Sequence, residues 1–120
     1  MRDAVVVETR TNKNKYSVGE EVELSVAVNN TGSSPVELIF TSAQRCDFIV
    51  LKDDNEVWHW SSGKMFAMII EQLILKPNEA QTYTKIWKPS GVTPRKYEVM
   101  GIIMSRPPLR ATCTFNLSNK

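Results

Sequence analysis

The chain has 120 residues and a hydrophobic content of 42%, enough for a single domain over residues 1–120 that buries its own core without metals or disulfides. Its 15 basic and 13 acidic residues leave a formal net charge of +2, so no strong field favours nucleic acid or an anionic membrane as a partner. The apolar run near the N-terminus is too short for a signal peptide or a membrane span. We therefore expect a cytoplasmic protein if the chain is complete, although an excised domain of an extracellular protein would look the same.

Alternating apolar and polar residues predict the first strands. Glu21–Asn29 places four aliphatic side chains on one face, which is typical of a half-buried antiparallel strand. The turn-forming cluster Asn29–Pro35 follows, and Val36–Phe40 resumes the alternation. These two strands are expected to form a hairpin or a sheet-crossing pair. A third strand is predicted from Cys46 to Lys52.

The rest of the chain continues with short strands and polar turns. The turn Asp53–Asn55 leads into a predicted strand at Glu56–Trp60. Residues 64–75 are too crowded with apolar side chains for clean alternation, and we interpret them as a short helical turn mixed with a strand. After the turn at Lys76–Glu79, further strands are predicted over residues 80–87, 96–104 and 111–117. Seven or more short strands without a long helix indicate an all-β fold, a two-sheet antiparallel sandwich.

Single residues give little sign of catalysis or metal binding. Cys46 and Cys113 lack the spacing of a metal or redox site, and we interpret them as buried free thiols, with a disulfide as the alternative. His59 is the only histidine, and no nucleophile-elbow motif accompanies it. We interpret it as an exposed or cross-strand residue, with contact to a partner as the alternative. The Asp53–Asp54 pair is interpreted as a solvated turn rather than a calcium site, and the five glycines are expected in turns.

Trp58 and Trp60 lie two positions apart, so a regular strand would place both rings on one face and His59 on the other. Rings of this size bury a large apolar area, and they either anchor a core or present a binding surface. The core interpretation is favoured, because sandwich domains often bury a tryptophan centrally.

Several short motifs, taken in order, resemble the BsuPI-type intracellular proteinase inhibitor family. They are Phe40-Thr41-Ser42-Ala43-Gln44, Asp47-Phe48-Ile49-Val50, Val57-Trp58-His59-Trp60-Ser61, Met65-Phe66, Leu75-Lys76-Pro77-Asn78-Glu79, Trp87, and Pro94 with Tyr97-Glu98-Val99. The similarity covers about residues 16–117. It implies an immunoglobulin-like β-sandwich that inhibits an intracellular subtilisin-type serine protease, with no cofactor and no catalysis by the domain itself. Similar domains also resemble accessory modules of larger bacterial proteins.

Three positions depart from the glycines that this family tends to have. They are Ala43, Asn78 and Arg95. Asparagine tolerates a positive φ angle, whereas arginine does not do so readily, so the turn before Tyr97 is expected to change type.

Three function classes follow: a protease inhibitor, a non-inhibitory interaction module, and an enzyme, for which no catalytic residues can be assembled. For the inhibitor, the exposed candidate contact loops are Ser61–Phe66, Lys88–Lys96 and Ser105–Arg110. The first is favoured, because it joins an aromatic strand end to a glycine turn, a lysine and two apolar side chains. The predicted partner-binding residues are Trp60, Ser61, Ser62, Lys64, Met65 and Phe66. The alternative is that Trp58, Trp60, Met65 and Phe66 belong to the core, in which case the exposed contacts are Ser61, Ser62 and Lys64. No catalytic, cofactor-binding or metal-binding residue is predicted.

Overall fold

The computed structural model of the chain describes residues 5–118, so the predicted domain limits at residues 1 and 120 lie outside the described range. Within it the chain forms ten strands. They are β1 (Val5–Thr11), β2 (Lys15–Ser17), β3 (Val22–Asn30), β4 (Val36–Phe40), β5 (Cys46–Lys52), β6 (Asn55–His59), β7 (Glu71–Leu75), β8 (Ala80–Trp87), β9 (Arg95–Ile103) and β10 (Leu109–Ser118). Residues 5–118 contain no helix, and so none long and apolar enough to cross a membrane.

The strands form two main sheets and a small ribbon. One sheet has the order β1-β3-β8, the other has the order β2-β10-β9-β5-β6, and β4 pairs with β7 in the ribbon. All pairs are antiparallel except that of β2 with β10, which is parallel. The predicted all-β sandwich is confirmed. Because β3 pairs with β1 and β8 while β4 pairs with β7, the sheet-crossing alternative holds and the hairpin is wrong.

The core lies between the facing sheets. The alternation in β3 buries Val22, Leu24, Val26 and Val28 completely. They face apolar side chains of the other sheet, among them Phe48, Val50, Val99 and Phe115. The two sheets approach each other closely at Gly101 of β9, where an added Cβ would lie 2.9 Å from the Cβ of Val26 and would also meet Thr9. The expectation that every glycine lies in a turn is therefore wrong at this position.

Most predicted strands are confirmed with small shifts at their ends, whereas the segment 64–75 differs. Its helical turn is absent: residues 64–70 run without regular structure, and only Glu71–Leu75 forms a strand. The apolar side chains there do not form a buried helix face, since Met65, Met68 and Ile70 are all exposed. Strands β1 and β2 were not predicted.

The turns agree with the sequence in part. Asp53 and Asp54 both have positive φ angles at the β5–β6 turn, and both are exposed. Asn78 also has a positive φ angle, of 66°, as asparagine tolerates. Arg95 needs no such angle, because it is the first residue of β9 and pairs with Leu117 of β10.

Both cysteines are free thiols, so the disulfide alternative is wrong. Cys46 is buried as predicted, whereas the predicted burial of Cys113 is wrong, since it is only half-buried. Burial raises the pKa of the Cys46 thiol to about 11. It therefore stays protonated near neutral pH and packs as a small hydrophobic residue.

Candidate functional site

Trp58 and Trp60 have different surroundings. Trp58 lies on β6 and stacks on the buried ring of Trp87, with ring centroids 5.8 Å apart and planes at 26°. Trp60 lies just beyond the end of β6 and is half-buried. Both rings pack against the core, so the structural interpretation of the two tryptophans describes their positions well.

Trp60 forms the base of the segment that we call the candidate loop, residues Trp60–Phe66. The Phe66 ring lies on it, with centroids 5.9 Å apart. The ammonium groups of Lys64 and Lys85 lie 5.0 and 4.4 Å from the centroid of the Trp60 ring, close enough for cation–π attraction. The ring therefore organises the loop that follows it.

A buried carboxylate fixes the start of the candidate loop. The Asp47 side chain on β5 is only 6% exposed. Its Oδ1 accepts hydrogen bonds from the backbone N–H groups of Phe48 and Ser61, at 2.9 and 3.1 Å. Its Oδ2 accepts the Ser61 hydroxyl at 2.6 Å and lies 2.7 Å from Nε2 of His59. Asp47 thus joins β5, the last residue of β6 and the loop.

The grouping of Asp47, His59 and Ser61 has the residue types of a hydrolytic triad but a different geometry. In such a triad the carboxylate binds one imidazole nitrogen and the serine hydroxyl binds the other. Here the Asp47 carboxylate and the Ser61 hydroxyl both lie next to Nε2 of His59, and the hydroxyl donates directly to the carboxylate. The arrangement is suited to holding the loop, and it confirms His59 as a cross-strand residue.

Other contacts fix the far end of the loop. The backbone N–H of Ala43 donates to the carbonyl of Ala67 at 2.8 Å. Arg45 forms an ion pair with Glu71 at the start of β7. Within the loop, the N–H of Lys64 donates to the carbonyl of Ser61 at 3.0 Å, and Gly63 takes a φ angle of 78° that favours glycine. The segment is therefore restrained on both sides and turned tightly in its middle.

The tip of the loop projects into solvent. Met65 is 95% exposed, and Ser62 and Lys64 are exposed as well. Ser61 and Phe66 are half-buried, because the first is bound by Asp47 and the second lies on Trp60. The six predicted residues are brought together on one loop, but three face solvent and three hold the loop in place.

The three predicted contact loops do not lie at the same end of the sandwich. The candidate loop lies at one end together with residues 41–45 and with residues 104–108, which include most of the predicted loop Ser105–Arg110. At this end the Ala43 N–H donates to the Ala67 carbonyl, and the Met104 N–H donates to the Arg45 carbonyl at 2.9 Å. The loop at 88–94 lies at the opposite end, beside the β5–β6 turn. There Lys52 bonds to Thr93 at 3.4 Å, and Arg95 pairs with Asp53 at 3.2 Å.

Sequence reasoning missed the residues that hold the loop from outside it. Asp47 is the main one, and its signal is its position: aspartate is disfavoured in strands, yet this one lies between Cys46 and Phe48 at the start of an apolar strand. The contributions of Ala43 and Lys85 depend on distant pairing and leave no local signal. In the part of the chain that the structure describes, no three His, Cys, Asp or Glu side chains converge as metal ligands would.

Comparison with known proteins identifies the family. The sequence model of the BsuPI family, described as intracellular proteinase inhibitor, matches residues 9–108. The chain belongs to this family. The BsuPI match includes the whole candidate loop together with Asp47 and Ala43, which restrain it. Membership in a family of inhibitors implies a protease as partner and a role other than catalysis. No curated protein matches the chain.

Solved structures share the fold at low identity. A CARDB domain from Pyrococcus furiosus has a TM-score of 0.57 at 16% identity, with 98% of this chain and 96% of that chain covered. The sporulation control protein Spo0M from Bacillus subtilis has a TM-score of 0.56 at 18% identity, with 96% and 49% covered. The alkylpurine DNA glycosylase AlkC of Pseudomonas fluorescens has a TM-score of 0.53 at 14% identity; 97% of this chain is covered, but it spans only 31% of AlkC. These likenesses describe the sandwich fold alone.

Proposed function

We propose that this BsuPI-family chain inhibits an intracellular subtilisin-type serine protease by placing the candidate loop, Trp60–Phe66, in the active-site cleft. One observation carries the proposal: a fully projecting apolar side chain, Met65, lies on a loop that is restrained at both ends. An inhibitor of this kind needs a rigid projection that fits a concave site.

The restraint of the candidate loop lowers the entropic cost of binding, because a complex orders any segment that is mobile in the free protein. Immobilising a flexible side chain or loop costs roughly 0.5–1.5 kcal/mol for each rotamer-rich side chain. Asp47 and Ala43 hold the candidate loop before a partner arrives, and the Trp60 ring supports Phe66 and Lys64. Less of the binding free energy is then lost to ordering, which favours a tight complex.

The test is a titration of a subtilisin-type protease with the chain, following residual activity and the integrity of the chain together. We expect stoichiometric loss of activity with the chain intact. Rapid digestion of the chain without loss of activity would contradict the proposal.

A pair of double variants locates the contact. Ser62→Ala with Lys64→Ala removes two exposed side chains of the candidate loop, and we expect inhibition to weaken about tenfold, equivalent to ~1.4 kcal/mol. The matched control is Lys88→Ala with Ser90→Ala, which removes the same residue types at the opposite end of the sandwich. If the control variant weakens inhibition and the loop variant does not, the contact lies at the other end.

A further inference from the structure

We propose that Met65 is the side chain that enters the primary specificity pocket of the target protease, so that the target has an apolar pocket. This inference rests on the proposed function and makes it more specific. The primary specificity pocket of a serine protease receives the side chain that precedes the bond to be cleaved, and its lining decides which residue is accepted.

The exposed apolar residues near the loop differ in how freely they project. Met65 is 95% exposed and follows the tight turn at Ser61–Lys64. Met68 is 84% exposed, but it lines a cleft with Thr41, Ser42, Met104 and Arg106. Ile70 adjoins β7, whose first residue pairs with Phe40 of β4. Of these three, only Met65 directly follows the turn, between the anchors at Ser61 and Ala67.

The chemistry of Met65 matches a deep apolar pocket. Its side chain is unbranched and flexible, and its thioether is polarisable, so it adapts to apolar cavities of irregular shape. In the free protein it contacts solvent and makes no hydrogen bond or ring contact within residues 5–118. Burying it in a partner therefore gains apolar contact and breaks no contact within the inhibitor.

The neighbours of Met65 explain how such a loop resists digestion. If the protease serine oxygen attacks the Met65 carbonyl carbon, an ester forms and the Met65–Phe66 peptide bond breaks. The proton that the serine hydroxyl loses passes to the Phe66 nitrogen, which becomes the leaving amine. The Phe66 ring rests on Trp60, and the Ala67 carbonyl is bound by the Ala43 N–H. The amine is thus retained beside the ester, where it can attack it, re-form the Met65–Phe66 bond and release the serine hydroxyl.

A change of specificity tests the inference. Met65→Arg replaces the apolar side chain by a cation that a trypsin-type protease accepts, since the pocket of that protease carries a carboxylate. We expect Met65→Arg to inhibit trypsin at least about a hundredfold more tightly than the original chain does, and to lose about a hundredfold against the subtilisin-type protease, ~2.7 kcal/mol in each case. Met68→Arg is the matched control, and we expect it to do neither.

The outcomes separate the two proposals. If the original chain inhibits the subtilisin-type protease and Met65→Arg inhibits it equally well, Met65 does not fill the pocket, and the proposed function stands. A gain of trypsin inhibition by Met68→Arg alone, or rapid cleavage of the Met65→Arg chain by trypsin without inhibition, also overturns the inference. Failure of the original chain to inhibit the subtilisin-type protease defeats the proposed function itself. Circular dichroism of both variants confirms the fold, which a substitution at an exposed side chain is expected to preserve.

Discussion

Asp47 is the single residue on which the position of the candidate loop depends most. Its carboxylate is buried and accepts the N–H groups of Phe48 and Ser61 as well as the Ser61 hydroxyl. It also lies against His59, which closes the strand before the loop. A buried acceptor with several donors is costly to remove, because each donor left without a partner keeps its desolvation cost.

We predict that Asp47→Ala lowers the free energy of unfolding by on the order of 2–4 kcal/mol, because it leaves the buried Phe48 N–H and the half-buried donors of Ser61 without their acceptor. Ser61→Ala removes only part of the network and is expected to cost about 1 kcal/mol. Glu37→Ala, an exposed acid on β4, is the control and is expected to change stability by less than about 0.5 kcal/mol. Urea denaturation followed by tryptophan fluorescence measures all three. Equal stability of the Asp47 and Glu37 variants would contradict the account.

Among single residues, the exposed side chains of the candidate loop were easier to predict from the sequence than the contacts that hold the loop. Ser62 and Lys64 were expected to be exposed, and they are, whereas Ser61 was also expected to be exposed and is half-buried. Met65, for which a core position was the alternative, is exposed. The partners of Ser61 and Phe66 were not identified. Asp47 lies on a different strand, and its contact with Ser61 depends on the pairing of β5 with β6, which local alternation does not specify.

Among the elements, β9 packs closely against the opposite sheet at Gly101. Gly101 faces Thr9 of β1 and Val26 of β3, and there is no room for a Cβ between them. Thr9 is itself held there, because its hydroxyl donates to the Ala111 carbonyl of β10 at 2.8 Å. The glycine lets a strand of one sheet approach two strands of the other.

We predict that Gly101→Ala destabilises the fold by about 1–3 kcal/mol, because the new methyl group overpacks this contact. Thr9→Ala removes the threonine atoms nearest to it. The double variant is therefore expected to lose less stability than the sum of the two single variants. Denaturation of the four proteins measures the coupling. Strict additivity would show that Thr9 and Gly101 do not oppose each other across the sheets.

Strands were predictable where one face alone is buried. β3 is such a strand, and its alternation was read correctly. β1 was missed because most of its residues are exposed or half-buried, and its sequence carries charges at Glu8 and Arg10. The segment at residues 64–70 was misread because exposed apolar residues imitate a core element. An apolar run of this kind indicates a partner-binding surface as readily as it indicates a buried core element.

In the molecule as a whole, the sandwich separates two groups of loops along a body with a longest extent of 47 Å. The candidate loop lies at one end with residues 41–45 and 104–108. The loop at 88–94 and the β5–β6 turn lie at the other. Loops at both ends were predicted from the sequence as possible contacts, because loop composition alone does not show which loops are neighbours. One protease cleft of ordinary size is expected to engage one end only.

Hydrogen exchange of the chain, alone and mixed with a subtilisin-type protease, tests most directly the claim that the candidate loop is the inhibitory element. We expect the protease to slow exchange in peptides covering residues 60–67, to leave residues 88–94 unchanged, and to lose this effect when its active site is blocked beforehand. Slower exchange at residues 88–94 with none at residues 60–67, or protection that survives blocking of the active site, would contradict the account.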